Sequence, residues 1–313
     1  MRNLGLALLL ATALAAACGT GGGDGEGAPE GGGGEGAFPV TIANGDRPVT
    51  VERRPQRVVS LSPTATEMLF ALGAGDQVVA VDDNSDFPPE APSTDLRGFQ
   101  PSVEAVAGLE PDLVVLSFDP GAVVAGLEAL DVPTLLHPPA TTLDDAYTQM
   151  EQLGAATGNV GEAAEVAASI RADLDRVADS SPARPDPLTY YYELDDTFFT
   201  VTSATFTAEV LGLVGLENIA DATGAGGSGS TQLSAELIID QDPEIIFLAD
   251  TRCCGQSAET VAARPGWDQI TAVREGRVIE LDDDIASRWG PRVVDLARAA
   301  ADAAEAVPVG TGR

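Results

Sequence analysis

Two stretches decide how this chain is read: SVEAVAGLEPDLVVL, from Ser102 to Leu116, and SAELIIDQDPEIIFL, from Ser234 to Leu248. Each places a Ser first, a Glu two residues later, a Pro seven residues after that Glu, an acidic residue, and an apolar run. The Ser is a helix N-cap, the Glu lies in the first helical turn, and the Pro stops the helix. The short apolar run bounded by turn signals is a buried strand. The chain therefore builds one helix–strand unit twice, and each copy displays a carboxylate, Glu104 or Glu236, at a corresponding place. A first-turn carboxylate is already favoured by the helix dipole, by roughly 0.3–1 kcal/mol. Capping alone does not require the same offset to the Pro, so the matched pair also suggests two docking points on two similar lobes.

Around the repeats, short strands and helices alternate, as in a parallel α/β sheet. RVVSL (57–61), QVVAV (77–81) and VPTLLH (132–137) are expected strands. Ser62, Pro63 and Thr64 open a helix in which Thr64 and Glu67 fit a capping box. An amphipathic helix is expected over 143–157. From 158 to 181, Val160, Ala163, Ala167, Ile170, Leu174 and Val177 recur at three- and four-residue steps. That spacing predicts one helix about 35 Å long, closed by Pro182, Pro185 and Pro187. A second α/β set follows: a strand at 188–194, a helix near 205–215, the second repeat, a strand at RVIEL (277–281) and a helix after Pro291. The expected fold is two Rossmann-like α/β lobes joined by one long helix, with lobes at 38–157 and 185–313 and the connector at 158–184.

The N-terminus is an address. Arg2 precedes an apolar run from Leu4 to Ala17 and then Cys18. The run is too short to span a bilayer and has the length of a signal-peptide core. Small residues before Cys18 resemble a bacterial lipoprotein signal over 1–18, which predicts lipidation at Cys18. Residues 19–37 hold 11 glycines and four acids; they are expected to form a flexible tether with a mean reach of about 24 Å.

Composition excludes several classes. The formal net charge of -32 argues against nucleic acid, which needs clustered Lys and Arg. The acids are scattered, as suits solubility or a salty medium. The single histidine, His137, beside Pro138 and Pro139, argues against a binder of free zinc or manganese, which wants several imidazoles; it is expected to be a hydrogen-bonded loop residue at a strand end. No nucleophile turn, phosphate loop or dinucleotide fingerprint occurs, so no enzyme is expected. Cys253 and Cys254 are adjacent. Their pairing would not staple the fold, and the sequence leaves them free, oxidised together, or near a ligand.

RVVSLSPTATEMLFALGAGDQVVAVDDNSDFPPEA (57–91), PSVEAVAGLEPDLVVL (101–116), VGLENIAD (214–221) and PRVVDLA (291–297) together resemble the periplasmic binding proteins of cobalamin and ferric-siderophore ABC importers. The resemblance covers about residues 38–308. It implies the class III substrate-binding fold, a ligand held between lobes, and docking of Glu104 and Glu236 onto arginines of a membrane permease. Two separated Arg–carboxylate pairs would also fix orientation. It implies a monomeric, lipid-anchored protein on the outer face of a bacterial cell membrane, with no resident cofactor and a metal chelate as cargo.

The same resemblance marks cleft residues. VDDNSDFPP (81–89) is similar to a cleft loop, with Asn84 where cobalamin binders often carry an aromatic. DDDIASRWGPR (282–292) is similar to the segment whose Asp and Arg reach the ligand, here Asp284 and Arg288; the alternative is a surface ion pair at i, i+4. Phe99 and Trp289 are candidate stacking surfaces, and Tyr192 is a further candidate. Arg97, Arg252, Arg288 and Arg292 would suit an anionic ferric siderophore. Several aromatics expected around a corrin are absent, with Ser230 where one might lie, but the acidic surroundings favour cobalamin as cargo, with ferric siderophore or haem as the alternative, and a non-transport sensor lipoprotein as a more distant one.

Overall fold

The computed structural model describes residues 37–182, 184–224 and 229–308. The expected signal segment, Cys18 and nearly all of the Gly-rich tether lie outside the described residues.

Two four-stranded parallel sheets carry the fold. The first holds Val58–Leu61, Val78–Val81, Leu113–Leu116 and Thr134–Leu136; the second holds Leu188–Glu193, Leu216–Asn218, Ile245–Leu248 and Val278–Glu280. In both, the first strand in sequence sits between the second and the third, and the fourth flanks the third. The order is 2-1-3-4 in each. The repeated apolar runs, 113–116 and 245–248, are the third strand of each sheet, buried on both faces. That burial is why they read as unbroken Val, Leu and Ile rather than as an alternation. The helices before them, Val103–Ala107 and Ala235–Gln241, are capped by Ser102 and Ser234, whose side chains accept from the Ala105 and Leu237 amides. Both helices end before the Pro, as the pattern requires.

Helix Leu143–Thr157 has the predicted bounds and is opened by a Thr142–Asp145 capping box. It turns directly into helix Val160–Ser180 through Gly158, whose φ of +78° is a conformation that L side chains rarely adopt. The long helix buries Ala163, Ala167, Ile170 and Leu174. Val160, at its first turn, stays exposed instead. Gly154 lets the two helices approach closely: a Cβ there would lie 2.4 Å from that of Ala163. The long helix also packs against helix Val293–Glu305. One apolar cluster runs from Val58 and Leu113 of the first sheet through Ile170 and Leu174 to Phe247 and Leu296. The lobes thus share a continuous core.

The first helix corrects one expectation. Helix Pro63–Ala71 is capped by Ser62, which accepts from the Ala65 amide, with Pro63 in its first turn. Pro supplies no donor and fits the first helical position, so the cap falls on the residue before it. Thr64 and Glu67 form no capping box. Glu67 is buried and points away from the helix start, toward the second lobe.

Candidate ligand cleft

In open parallel sheets ligands sit beyond the carboxyl ends of the strands, where the connections diverge. Here those ends from both sheets converge. Leu61 ends the first strand, and Ser62, Asp82, Ser117 and Phe118, and Pro139 follow the four strands of the first sheet; Ala249 and Asp283 follow strands of the second. With Asn84, Phe99, Cys253, Asp284, Arg288 and Trp289 they line a cleft of about 540 Å³. The volume is that of a small-molecule site.

The cleft has an apolar face and an acidic floor. Phe99 and Phe118 lie with ring centroids 5.7 Å apart, and Phe99 is 71% exposed. A large aromatic so exposed beside a concave wall offers area that a ligand would cover. Trp289 lines the opposite side, its Nε1 donating to Gln149 Oε1 at 2.8 Å. The floor holds Asp82, Asp283 and Asp284 against one guanidinium, Arg288. Burial raises the Asp82 carboxyl, and hydrogen bonds from the Asn84 amide offset this only in part. Burial likewise raises Asp284, against the pull of Arg288. Burial also works against the Asp283 charge, but backbone donors from Arg252 and Cys253 outweigh it and hold the carboxyl below its usual range.

Arg288 has a different role from the one its spacing suggested. It is no surface ion pair. Its side chain is 8% exposed, and it donates to Glu67 at 2.9 Å, the Asn84 carbonyl at 3.0 Å, Asp86 at 3.0 Å and Asp284 at 2.6 Å. Glu67, 1% exposed, also accepts from Arg292 at 2.6 and 3.0 Å. Glu67, Asn84 and Asp86 belong to the first lobe; Asp284, Arg288 and Arg292 to the second. The cluster is an ionic latch across the lobes, and Arg288 meets the cleft while its donors face protein. Arg252 is engaged as well, by Asp284 at 2.9 Å and Asp282 at 3.4 Å.

The structure brings Asn84, Phe99, Asp284, Arg288 and Trp289 to one cleft. Two expectations need correction. Tyr192 is fully buried in the second lobe, with its hydroxyl donating to the Ala286 carbonyl at 2.9 Å. Its strand is covered on both faces, so it is core and not cleft. Arg97 is exposed but lies outside the cleft lining. The sequence reading overlooked Glu67, Asp82, Phe118 and Asp283. The last three directly follow strand ends or open the loop there, which is the signal that marks them.

Glu104 and Glu236 are both exposed in the first turns of their helices. Glu104 is held below its usual range by its own backbone amide and by the Ser102 hydroxyl, 2.9 Å away. Glu236 borders a groove with Phe198, Arg264 and Trp267. His137 is buried at the end of its strand, with the Gln152 side chain as the polar group that acts on its ring. Burial pushes its pKa down to about 4. It lines another groove with Asn44, Pro138 and Gln149.

Residues 58–285 match the family model described as periplasmic binding protein. The chain belongs to the periplasmic binding protein family. Its two parallel α/β lobes on one long helix are the class III substrate-binding architecture. Among relatives, the chain is 31% identical over 268 residues to the ABC transporter substrate-binding lipoprotein YvrC of Bacillus subtilis, covering 82% of this chain and 83% of that one. It is 32% identical over 274 residues to the cobalamin-binding protein of Halobacterium salinarum, covering 83% and 72%. Among solved structures it resembles the periplasmic heme-binding protein RhuT of Roseiflexus sp. RS-1 in apo form, with a TM-score of 0.70, 26% identity, and coverage of 80% and 99%. As a periplasmic binding protein, this chain is a substrate-binding component.

Proposed function

We propose that this chain captures a corrinoid of the cobalamin type outside the cytoplasm and delivers it to an ABC permease. The observation that carries the reading is the charge balance of the cleft. Among the described residues its one lining guanidinium, Arg288, spends its donors on Glu67, Asn84, Asp86 and Asp284, while Asp82 and Asp283 add further carboxylates. An anionic ferric siderophore or the propionates of haem would meet repulsion there. Haem iron also takes axial ligands such as His, Tyr or Cys. His137 and Tyr192 lie outside the lining, and Cys253 is in a disulfide. A bulky, nearly neutral chelate with flat faces suits Phe99, Phe118 and Trp289. The cobalamin-binding relative supports the same cargo.

In this reading Glu104 and Glu236 pair with permease arginines, and a lipid on Cys18 holds the body near the membrane. The lipoprotein relative supports the anchor. Cys18→Ala should move the protein from the membrane to the soluble fraction; continued membrane association would remove the anchor from the account. The cargo is tested by competition. With radiolabelled cyanocobalamin bound to the full chain, unlabelled cyanocobalamin should displace it, while hemin and a tris-catecholate ferric siderophore should not at similar concentrations. Displacement by hemin or the siderophore at lower concentration would reassign the cargo.

A further inference from the structure

The adjacent cysteines are the feature that the transport reading leaves unused. Cys253 and Cys254 form a disulfide at a sequence separation of one. Cross-links stabilise a fold more, though only logarithmically, the longer the loop they close, and this one closes no loop beyond its own peptide. Its effect is therefore local, and its location is specific. Cys253 lines the ligand cleft, and both cysteines are exposed. They end the one-turn helix Thr251–Cys254, which is closed by Gly255 at φ +70°.

The turn that carries the disulfide is tied to the cleft floor by one carboxylate. Asp283 accepts from the amides of Thr251, Arg252 and Cys253 at 2.9, 3.0 and 2.7 Å, and from the Thr251 hydroxyl at 2.9 Å. Asp284, the next residue, accepts from Arg252 and from Arg288 of the interlobe latch. Cys253, Asp283, Asp284 and Arg288 all face the cleft. The disulfide thus fixes Cys253, a side chain of a wall continuous with the latch, against its neighbour Cys254.

We propose that Cys253–Cys254 is a thiol–disulfide exchange site for small thiols and dithiols, and that the disulfide form orders the cleft wall. Exposed disulfides are the ones that exchange readily. An incoming thiolate attacks one Sγ, the S–S bond breaks, and the released cysteine thiolate takes up a proton. A second thiolate then attacks the mixed disulfide and releases the other cysteine. The net change is protein disulfide plus two thiols to protein dithiol plus one low-molecular-weight disulfide; two electrons pass to the cysteines. The dithiol form gains two free side-chain rotors at the wall. Ordering them again on binding should weaken ligand affinity about fivefold. That last step rests on the corrinoid reading; the exchange site itself does not.

The test uses the full chain with Cys18→Ala, equilibrated in air, then treated with dithiothreitol and desalted. Thiol titration should give no free thiol before treatment and two after it. Hydrogen exchange at the Arg252 and Cys253 amides should be at least about fivefold faster in the reduced chain. Cyanocobalamin should bind the reduced chain about fivefold more weakly, and the Cys253→Ala/Cys254→Ala chain should show no response to dithiothreitol. Two free thiols in the air-equilibrated chain, or equal amide exchange in both forms, would overturn the proposal. Equal cyanocobalamin affinity in both forms would overturn the coupling to the cleft. Failure of cyanocobalamin to bind either form would refute the cargo reading, with thiol count and amide exchange still deciding the redox site.

Discussion

Replacing Glu67 by Ala should be the most costly single change in the latch. Its carboxylate is 1% exposed and is shared by Arg288 at 2.9 Å and Arg292 at 2.6 Å. Those side chains are themselves only 8% and 19% exposed. Without Glu67, two like charges face one another in a poorly solvated gap between lobes. Breaking a buried ion pair by removing one partner costs about 3–5 kcal/mol, against a total stability of about 5–15 kcal/mol for a typical protein. The lobes share one apolar core, so urea unfolding followed by circular dichroism should report a single transition. With a slope of about 3 kcal/mol per molar, the midpoint should fall by about 1–1.7 M. Replacing all three groups, Glu67→Met with Arg288→Met and Arg292→Leu, should recover most of the loss, because no uncompensated charge remains inside and Asp86 and Asp284 can reach water. A midpoint shift below about 0.3 M for Glu67→Ala would refute the latch as a stabilising element. An equally large loss in the triple variant would assign the effect to packing and not to charge.

Three further outcomes follow from the same geometry. Asp250 is buried with both carboxylate oxygens unpartnered, and burial, followed by repulsion from Glu193, raises its pKa from 3.8 to about 7. A raised carboxylate contributes stability at low pH that is lost as pH climbs through 7; His137, lowered to about 4, has the opposite sign and loses stability as pH falls from 6.5. Asp250→Asn should therefore be more stable than the native chain by on the order of 4 kcal/mol at pH 8, with the gap closing near pH 4, and a constant gap in thermal unfolding across that range would contradict this. Phe99→Ala and Phe118→Ala should each weaken cyanocobalamin binding by roughly tenfold through lost apolar contact, and unchanged calorimetric affinity in both would move the ligand elsewhere. Glu104→Ala with Glu236→Ala should abolish corrinoid uptake by cells while leaving affinity intact; normal uptake would remove the docking role.

The sequence disclosed periodic and local features and hid those made by distant pairs. The two helices around Gly158 were legible because apolar residues at three- and four-residue steps and a capping box are local signals. The twin strands were legible because strands covered on both faces become unbroken apolar runs. The same double covering erased the alternation that would have shown Tyr192 to be core. In the sequence Glu67 reads as a capping residue because its partners, Arg288 and Arg292, lie more than 200 residues away. Arg288 had a visible neighbour at i−4, Asp284, and an invisible one in the other lobe. The acidity of the cleft therefore could be anticipated from composition, but the neutralisation of its arginine could not.

The central claim is that the interlobe cleft holds a corrinoid, and direct titration of the full chain with cyanocobalamin tests it most simply. Fluorescence of Trp289, which lines the cleft, offers the signal. The account predicts saturable quenching at one ligand per chain with a Kd of about 1 μM or tighter, that is, about 8 kcal/mol of binding free energy. Absence of saturation at about 100 μM ligand, two decades weaker, would contradict it.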